Sequence, residues 1–469
     1  MKVEQLYTGC LAEAAYYIVS NGEAAIIDPL RETQPYLDKL KEDGVELKYI
    51  FETHFHADFV SGHLDLSAKT GATIVYGPTA TPNYDVLVAH DGQDFPVGDV
   101  TIRVLHTPGH TMESTTYLLI DQNGKEHSIF TGDTLFIGDV GRPDLAIKSD
   151  LTQEDLAGYL FESTRNKIMP LSDDVIVYPG HGAGSACGKN LSSKTWDTLG
   201  NQKKTNYALR EDMSKEEFIK EVTTGLLPPP QYFPKNAMMN KMGYESFDEV
   251  LTRGVKGLSV EEFKNLRKEG ALVLDTRNTP EYEEGHVPGS WFIGLDGNFA
   301  MWVGALIHDI HQPIIFIAPE GREEEVVTRL SRVGYDKAKG FLKGGIQAWI
   351  DAGEEIETVT SIEPKELEKL YNGEESNIVD VRKNGEFTAQ HIEGAIHYPL
   401  DYINEHVNDL DKEKTYLVHC AGGYRSVVAI SILKANGYQN LVNVHKGFSG
   451  IQKETELPIT EYVCPTSML

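Results

Sequence analysis

The chain has 469 residues, with 43 basic against 71 acidic side chains and a formal net charge of −28. So acidic a protein repels nucleic acid and anionic membrane surfaces, which excludes both as expected partners; the ordinary meaning of the charge is solubility. Length predicts roughly three domains at ~150 residues each, and four cysteines are too few for a disulfide framework. No apolar stretch is long enough to cross a bilayer, and the amino-terminal Met1-Lys2-Val3-Glu4-Gln5 lacks the apolar core of a secretory signal. A cytoplasmic protein with reduced thiols is expected.

The first half repeats one local pattern. The apolar run 47–53 breaks into His54-Phe55-His56-Ala57-Asp58, and 101–105 leads into His106-Thr107-Pro108-Gly109-His110. Residues 128–130 run into Thr131-Gly132-Asp133, and 175–178 into Pro179-Gly180-His181. Short β-branched runs that stop at Gly or Pro and a His or Asp read as buried strands delivering ligands to one edge of a sheet. Divalent transition metals suit such imidazole and carboxylate sets. His63, His90, His106 and His127 belong to no such pattern and read as structural or surface residues.

The string Thr53-His54-Phe55-His56-Ala57-Asp58-Phe59 resembles the Thr-His-x-His-x-Asp-His signature of the metallo-β-lactamase superfamily. Phe59 departs from it: a phenyl ring has no lone pair for a second metal, which favours one metal with open positions over a binuclear hydrolase. Ile27-Asp28-Pro29, Thr107-Pro108-Gly109-His110-Thr111, Thr131-Gly132-Asp133, Gly141-Arg142-Pro143-Asp144, Tyr178-Pro179-Gly180-His181 and Leu227-Pro228-Pro229-Pro230-Gln231 resemble the persulfide dioxygenase branch. That resemblance implies a single Fe(II) held by His54, His110 and Asp133, with zinc or manganese as substitutes. His56, Asp58 and His181 are then expected to orient those ligands, although zinc could recruit His56 as a third imidazole. Arg142 and Asp144 read as a structural ion pair.

Beyond the last of these strands, residues 191–209 and 214–224 read as helices, 226–234 as extended and 235–257 as a polar bridge. Cys187 sits among glycines beside Lys189, an environment expected to lower its pKa and suit it to relay sulfane sulfur; a tucked-in structural cysteine fits equally well. Cys10 and Cys464 show no partner pattern.

The second half repeats itself. Asp275, Glu281 and His286 return as Asp380, Glu386 and His391, each 105 residues on (380 less 275). Short apolar strands alternate with helical stretches such as 260–268 and 323–333, the rhythm of βα units around a parallel sheet. The copies resemble rhodanese domains and differ in the active loop. One has Cys420-Ala421-Gly422-Gly423-Tyr424-Arg425-Ser426 at a strand end before a helical run. Amides curling around the sulfur, the helix N-terminus and the Arg425 cation favour thiolate and would hold a persulfide's terminal sulfur. The equivalent of Cys420 in the other copy is Ala318, near Glu320 and Glu323-Glu324-Glu325, so that copy resembles an inactive rhodanese with a structural role.

The expected fold is therefore α/β multidomain: a metallo-β-lactamase αββα sandwich over residues 1–245, an inactive rhodanese-like domain over 256–357 and a catalytic one over 362–465, the rhodanese-like domains having central parallel sheets. The resemblance implies oxidation of a low-molecular-weight thiol persulfide by O₂ to sulfite, with Cys420 passing sulfane sulfur to sulfite as thiosulfate, in sulfide detoxification. The same residues leave open a glyoxalase II-like thioester hydrolase with an attached sulfurtransferase, and a non-catalytic sulfane sulfur carrier. A homo-oligomer, dimer or tetramer, is the common form of such assemblies.

Overall fold

The computed structural model describes residues 1–145, 151–189, 191–371 and 377–464; residue 465, where the third expected domain ends, lies outside them. The chain divides into two compact units, one carrying two six-stranded sheets and the other two five-stranded sheets.

In the first unit, Lys2–Thr8, Glu13–Ser20, Glu23–Ile27, Glu46–Glu52, Thr73–Tyr76 and Leu87–Val88 pair in sequence order to make one sheet. The other runs Asp197–Thr198, Ile176–Pro179, Glu126–Gly132, Thr115–Ile120, Val100–His106, Asp94–Val97. Alternation along each strand decides which core a side chain joins. Tyr16 and Ile18 pack with Phe51, Ile102, Tyr117 and Phe130 between the sheets, whereas Ala15 and Tyr17 face outward onto Tyr36, Leu40 and Leu66. Tyr36 and Leu40 lie on the helix Gln34–Asp43, and Leu66 on His63–Thr70. The far face of the second sheet is covered by Gln153–Ser163 and Lys215–Thr223, through Leu160 and Phe218. The result is the αββα sandwich.

Two readings of local structure change. Residues 191–198 are not helical: Asp197–Thr198 pairs with Ile176 and Val177 at the sheet edge, and the helix begins only at Leu199. The stretch taken as extended to residue 234 turns helical at Phe233, in Phe233–Met242, because Pro234 falls in the first helical turn, where a missing N–H is harmless.

In the second unit the two sheets have one topology. The first is ordered Gly257–Leu258, Ala338–Leu342, Ile314–Ile317, Leu272–Asp275, Trp291–Phe292, and the second Thr360–Ile362, Leu441–Val444, Tyr416–His419, Ile378–Asp380, Ile396–His397, all parallel. Ala318 and Cys420 each follow the central strand of their sheet. Among the described residues, no helix is long and apolar enough to cross a membrane.

Candidate functional site

The strand ends expected to supply ligands at one sheet edge come instead from both sheets of the sandwich. Glu23–Ile27 and Glu46–Glu52 deliver Asp28 and His54, and the second sheet delivers His110, Asp133 and His181. Gly132 (φ +48°) makes the junction possible, since a Cβ there would lie 2.5 Å from Thr53 Oγ1.

His54, His110 and Asp133 are buried and converge. His54 Nε2 lies 3.8 Å and His110 Nε2 3.5 Å from Asp133 Oδ2, and that oxygen has no hydrogen-bond partner among the described residues. The outer nitrogens are committed. His110 Nδ1–H donates to the Arg142 carbonyl at 2.9 Å. The Thr53 hydroxyl donates to Asp28 Oδ2 (2.8 Å), so its oxygen accepts from His54 Nδ1 (2.9 Å). Both Nε2 lone pairs therefore point inward. Burial, reinforced by neighbouring His56, pushes the His54 imidazole well below its ordinary pKa, keeping it neutral. Burial pushes the Asp133 carboxyl up, but His181, His54 and His110 outweigh it and hold the group as carboxylate. Two imidazole nitrogens and an orphaned carboxylate oxygen fit a divalent metal.

His181 bridges two carboxylates at 2.7 Å, Nδ1 to Asp133 Oδ1 and Nε2 to Asp58 Oδ2. Burial opposes its charge, yet Asp133 and Asp58 raise its pKa well above the usual value. It thereby ties down one oxygen of Asp133 and leaves the other to the centre.

His56 is not a third imidazole of this centre. It turns toward Asp28 Oδ1 (3.0 Å) and Glu52 Oε2 (3.5 Å), with the Phe59 ring centroid 4.4 Å from its own. His63, read as partnerless, is fully buried 3.3 Å from Glu52 Oε1. The Asp28–Glu52–His56 group is thus a buried charged cage behind His54, and Glu52 and His63 carried no usable signal. Asp28 did have one: Ile27-Asp28-Pro29 is a strand end of the same pattern. Arg142 and Asp144 form a bidentate ion pair at 2.6 Å.

Cys187 is buried with Asp58 and His181, but its expected activation is overturned. Burial, with Asp133 and Asp58 nearby, pushes its thiol well up. Lys189, the cation meant to lower it, points its Nζ to the carbonyls of Glu221 and Thr224.

In the second unit Cys420 is also buried. Gly423 N–H donates to its sulfur at 3.1 Å, and Gly423 opens the helix Tyr424–Ala435. Gly447 (φ +52°) permits the tight seat of the loop, since a Cβ there would lie 2.3 Å from the Cys420 carbonyl oxygen. Arg425 is not a free cation: Glu386 binds it at 2.6 and 2.8 Å and raises its pKa. Ala421 and Gly422 line the loop's exposed side. Tyr424 O–H donates to Gly294 O (3.3 Å) in the other copy, and Ser426 Oγ stands 3.6 Å from Cys420 Sγ. In that copy Ala318 has no sulfur, and Arg322 is paired with Glu325 and Asp296, both at 2.7 Å.

Residues 8–181 match the metallo-beta-lactamase superfamily, and residues 259–352 and 363–454 each match the rhodanese-like domain. Human mitochondrial persulfide dioxygenase ETHE1 is 33% identical over 212 residues, 45% of this chain and 74% of that protein. A hydroxyacylglutathione hydrolase of Tolumonas auensis is 32% identical over 169 residues, 35% of this chain and 60% of that protein, so the chain spans less than two thirds of it. A metallo-beta-lactamase structure from Staphylococcus aureus subsp. aureus COL superposes with a TM-score of 0.66 at 31% identity, over 73% of this chain and 99% of that one.

Proposed function

Because the chain belongs to the metallo-β-lactamase superfamily and carries two rhodanese-like domains after that fold, we propose that it is a persulfide dioxygenase joined to a sulfurtransferase. The observation that carries this reading is the convergence of His54, His110 and Asp133, together with Phe59, which packs against His56 and contributes no ligand where the superfamily signature has a histidine. Two imidazoles and one carboxylate would hold a single Fe(II), with zinc or manganese able to replace it. A bound Fe(II) supplies the redox chemistry that O₂ requires.

The protein's own residues do the rest. Arg142 O and Thr53 fix the ring tautomers, and the His181 bridge holds Asp133 in place. Overall, a thiol persulfide, O₂ and water become the free thiol and sulfite. The Cys420 thiolate takes the outer sulfur of a second thiol persulfide, whose S–S bond breaks to release the thiol, and carries it as its own persulfide, held by Gly423 N–H. Sulfite attacks the outer sulfur, the S–S bond breaks, and thiosulfate leaves with Cys420 as thiolate.

The hydroxyacylglutathione hydrolase relative favours a second reading, metal-dependent thioester hydrolysis. Side-by-side assay of metal-analysed protein separates the two. Oxygen consumption with glutathione, coenzyme A or bacillithiol persulfide, and no release of thiol from S-acylglutathione, is expected. Thioester cleavage by two-metal protein without oxygen consumption would replace the proposal.

A further inference from the structure

Besides the contact of Tyr424 with Gly294, the Ala318 copy reaches the Cys420 site through a carboxylate. Its helix Thr279–Glu284 carries Glu283, whose Oε1 accepts Asn443 Nδ2–H at 2.8 Å and the Ser361 hydroxyl at 2.6 Å. Asn443 and Ser361 lie on adjacent strands of the Cys420 sheet, Leu441–Val444 and Thr360–Ile362. Asn443 is fully buried, and its other end faces the active loop: Oδ1 accepts the Ser426 hydroxyl at 2.7 Å. Ser426 Oγ in turn stands 3.6 Å from Cys420 Sγ.

A serine hydroxyl has one proton to give. Ser426 has Asn443 Oδ1 at 2.7 Å, Gly423 O at 3.1 Å and Cys420 Sγ at 3.6 Å within reach, and the shortest contact takes it. The Asn443 amide is not free to turn over. Its NH₂ end faces a carboxylate oxygen, which only accepts, and a flipped amide would set oxygen against oxygen there. With Glu283 in place, the Ser426 proton is therefore drawn away from the sulfur.

We propose that Glu283 is a positioning residue of the Cys420 site: through Asn443 it sets where the Ser426 hydroxyl proton points, so that the copy lacking sulfur completes the copy that has it. The inference rests on Cys420 being the sulfur-bearing thiol. Removing Glu283 leaves Asn443 Nδ2 only the weaker contact to Ser361 Oγ at 3.3 Å, so the amide can turn over and donate to Ser426 Oγ. The hydroxyl proton is then shared between Gly423 O at 3.1 Å and the sulfur at 3.6 Å, and the share that reaches the sulfur favours thiolate.

The test is the rate at which iodoacetamide alkylates Cys420 in the full-length protein at neutral pH, read peptide by peptide by mass spectrometry. Glu283→Ala is expected to raise the rate about fivefold, the factor one ordinary hydrogen bond represents. Glu283→Leu, which keeps the bulk without the acceptor, should do the same and covers a failure of the alanine variant to fold. Glu283→Gln, whose Oε1 can accept both bonds, should stay within about twofold of wild type. In a Ser426→Ala background Glu283→Ala should have no further effect, because the relay passes through that hydroxyl. Unchanged alkylation in both Glu283→Ala and Glu283→Leu overturns the proposal, as does an equal rise in the Ser426→Ala background, which would mean loosened packing. Alkylation reads the thiol alone, so a wild-type protein that transfers no sulfur would refute the functional reading and leave this result standing.

Discussion

Asn240 holds the ligand loop from behind, and Asn240→Ala is the substitution whose consequence can be worked out most fully. Its buried side chain accepts Ser61 N–H at 2.9 Å and donates to the His56 and Phe59 carbonyls, both at 2.8 Å. Alanine removes these three bonds and leaves three buried backbone groups without the partner they had. At about 1 kcal/mol net per bond, the loss is roughly 3 kcal/mol, or roughly 6–12 °C for a unit of this size. The same loop carries His54 and Asp58, so metal retention should fall with it. Calorimetry of the full chain measures the effect, since metal loading marks the transition of the first unit by raising it. A shift below about 2 °C with unchanged metal content would refute the claim that this side chain anchors the loop.

Asp133→Asn should lower iron content at least tenfold, measured after dialysis against a chelator at fixed free iron, because it removes the ligand charge and the partner of His181; undiminished binding would reassign the centre. Cys420→Ser should abolish sulfur loading, read by intact mass after incubation with persulfide, while oxygen consumption continues. His286 tests the second unit through pH: burial pushes its imidazole down to about 4 from 6.5, and it is stacked 3.9 Å from Tyr282. The unfolded chain takes up a proton below about pH 6.5 and the folded one only near 4, so stability is full above 6.5 and falls by about 3 kcal/mol as pH drops through that window. Urea titrations of His286→Phe should lose that slope; an unaltered slope would show that other groups carry it.

What was legible in the sequence was local. His54, His110, Asp133 and His181 each lie within four residues of a strand end, so a short apolar run that breaks at a Gly, Pro or His exposes them. The repeat offset exposed the paired sheets, and the difference between Ala318 and Cys420, in the same way. What was illegible depends on residues far apart meeting. Glu52 and His63 stand eleven positions apart (63 less 52) and meet only because a loop doubles back. Asn240 lies in a segment that reads as a polar bridge, with no sign that it reaches the His56 loop. Nothing in Cys420-Ala421-Gly422-Gly423-Tyr424-Arg425 announces that Glu386 neutralises the arginine, nor did Cys187 show that its lysine neighbour turns away. Charge patterns along the chain gave the wrong sign for Cys187 because burial, a three-dimensional property, dominates its thiol.

The central claim is that one metal held by His54, His110 and Asp133 serves oxidation of a persulfide. Its most direct measurement is the stoichiometry of oxygen consumed against free thiol released from a synthetic persulfide, across preparations loaded with graded amounts of iron. The account predicts a rate proportional to iron, with one O₂ consumed per thiol released where sulfite accumulates and one per two thiols where Cys420 has turned that sulfite into thiosulfate. Thiol release without oxygen consumption, or a rate indifferent to iron in fully loaded protein, would contradict it.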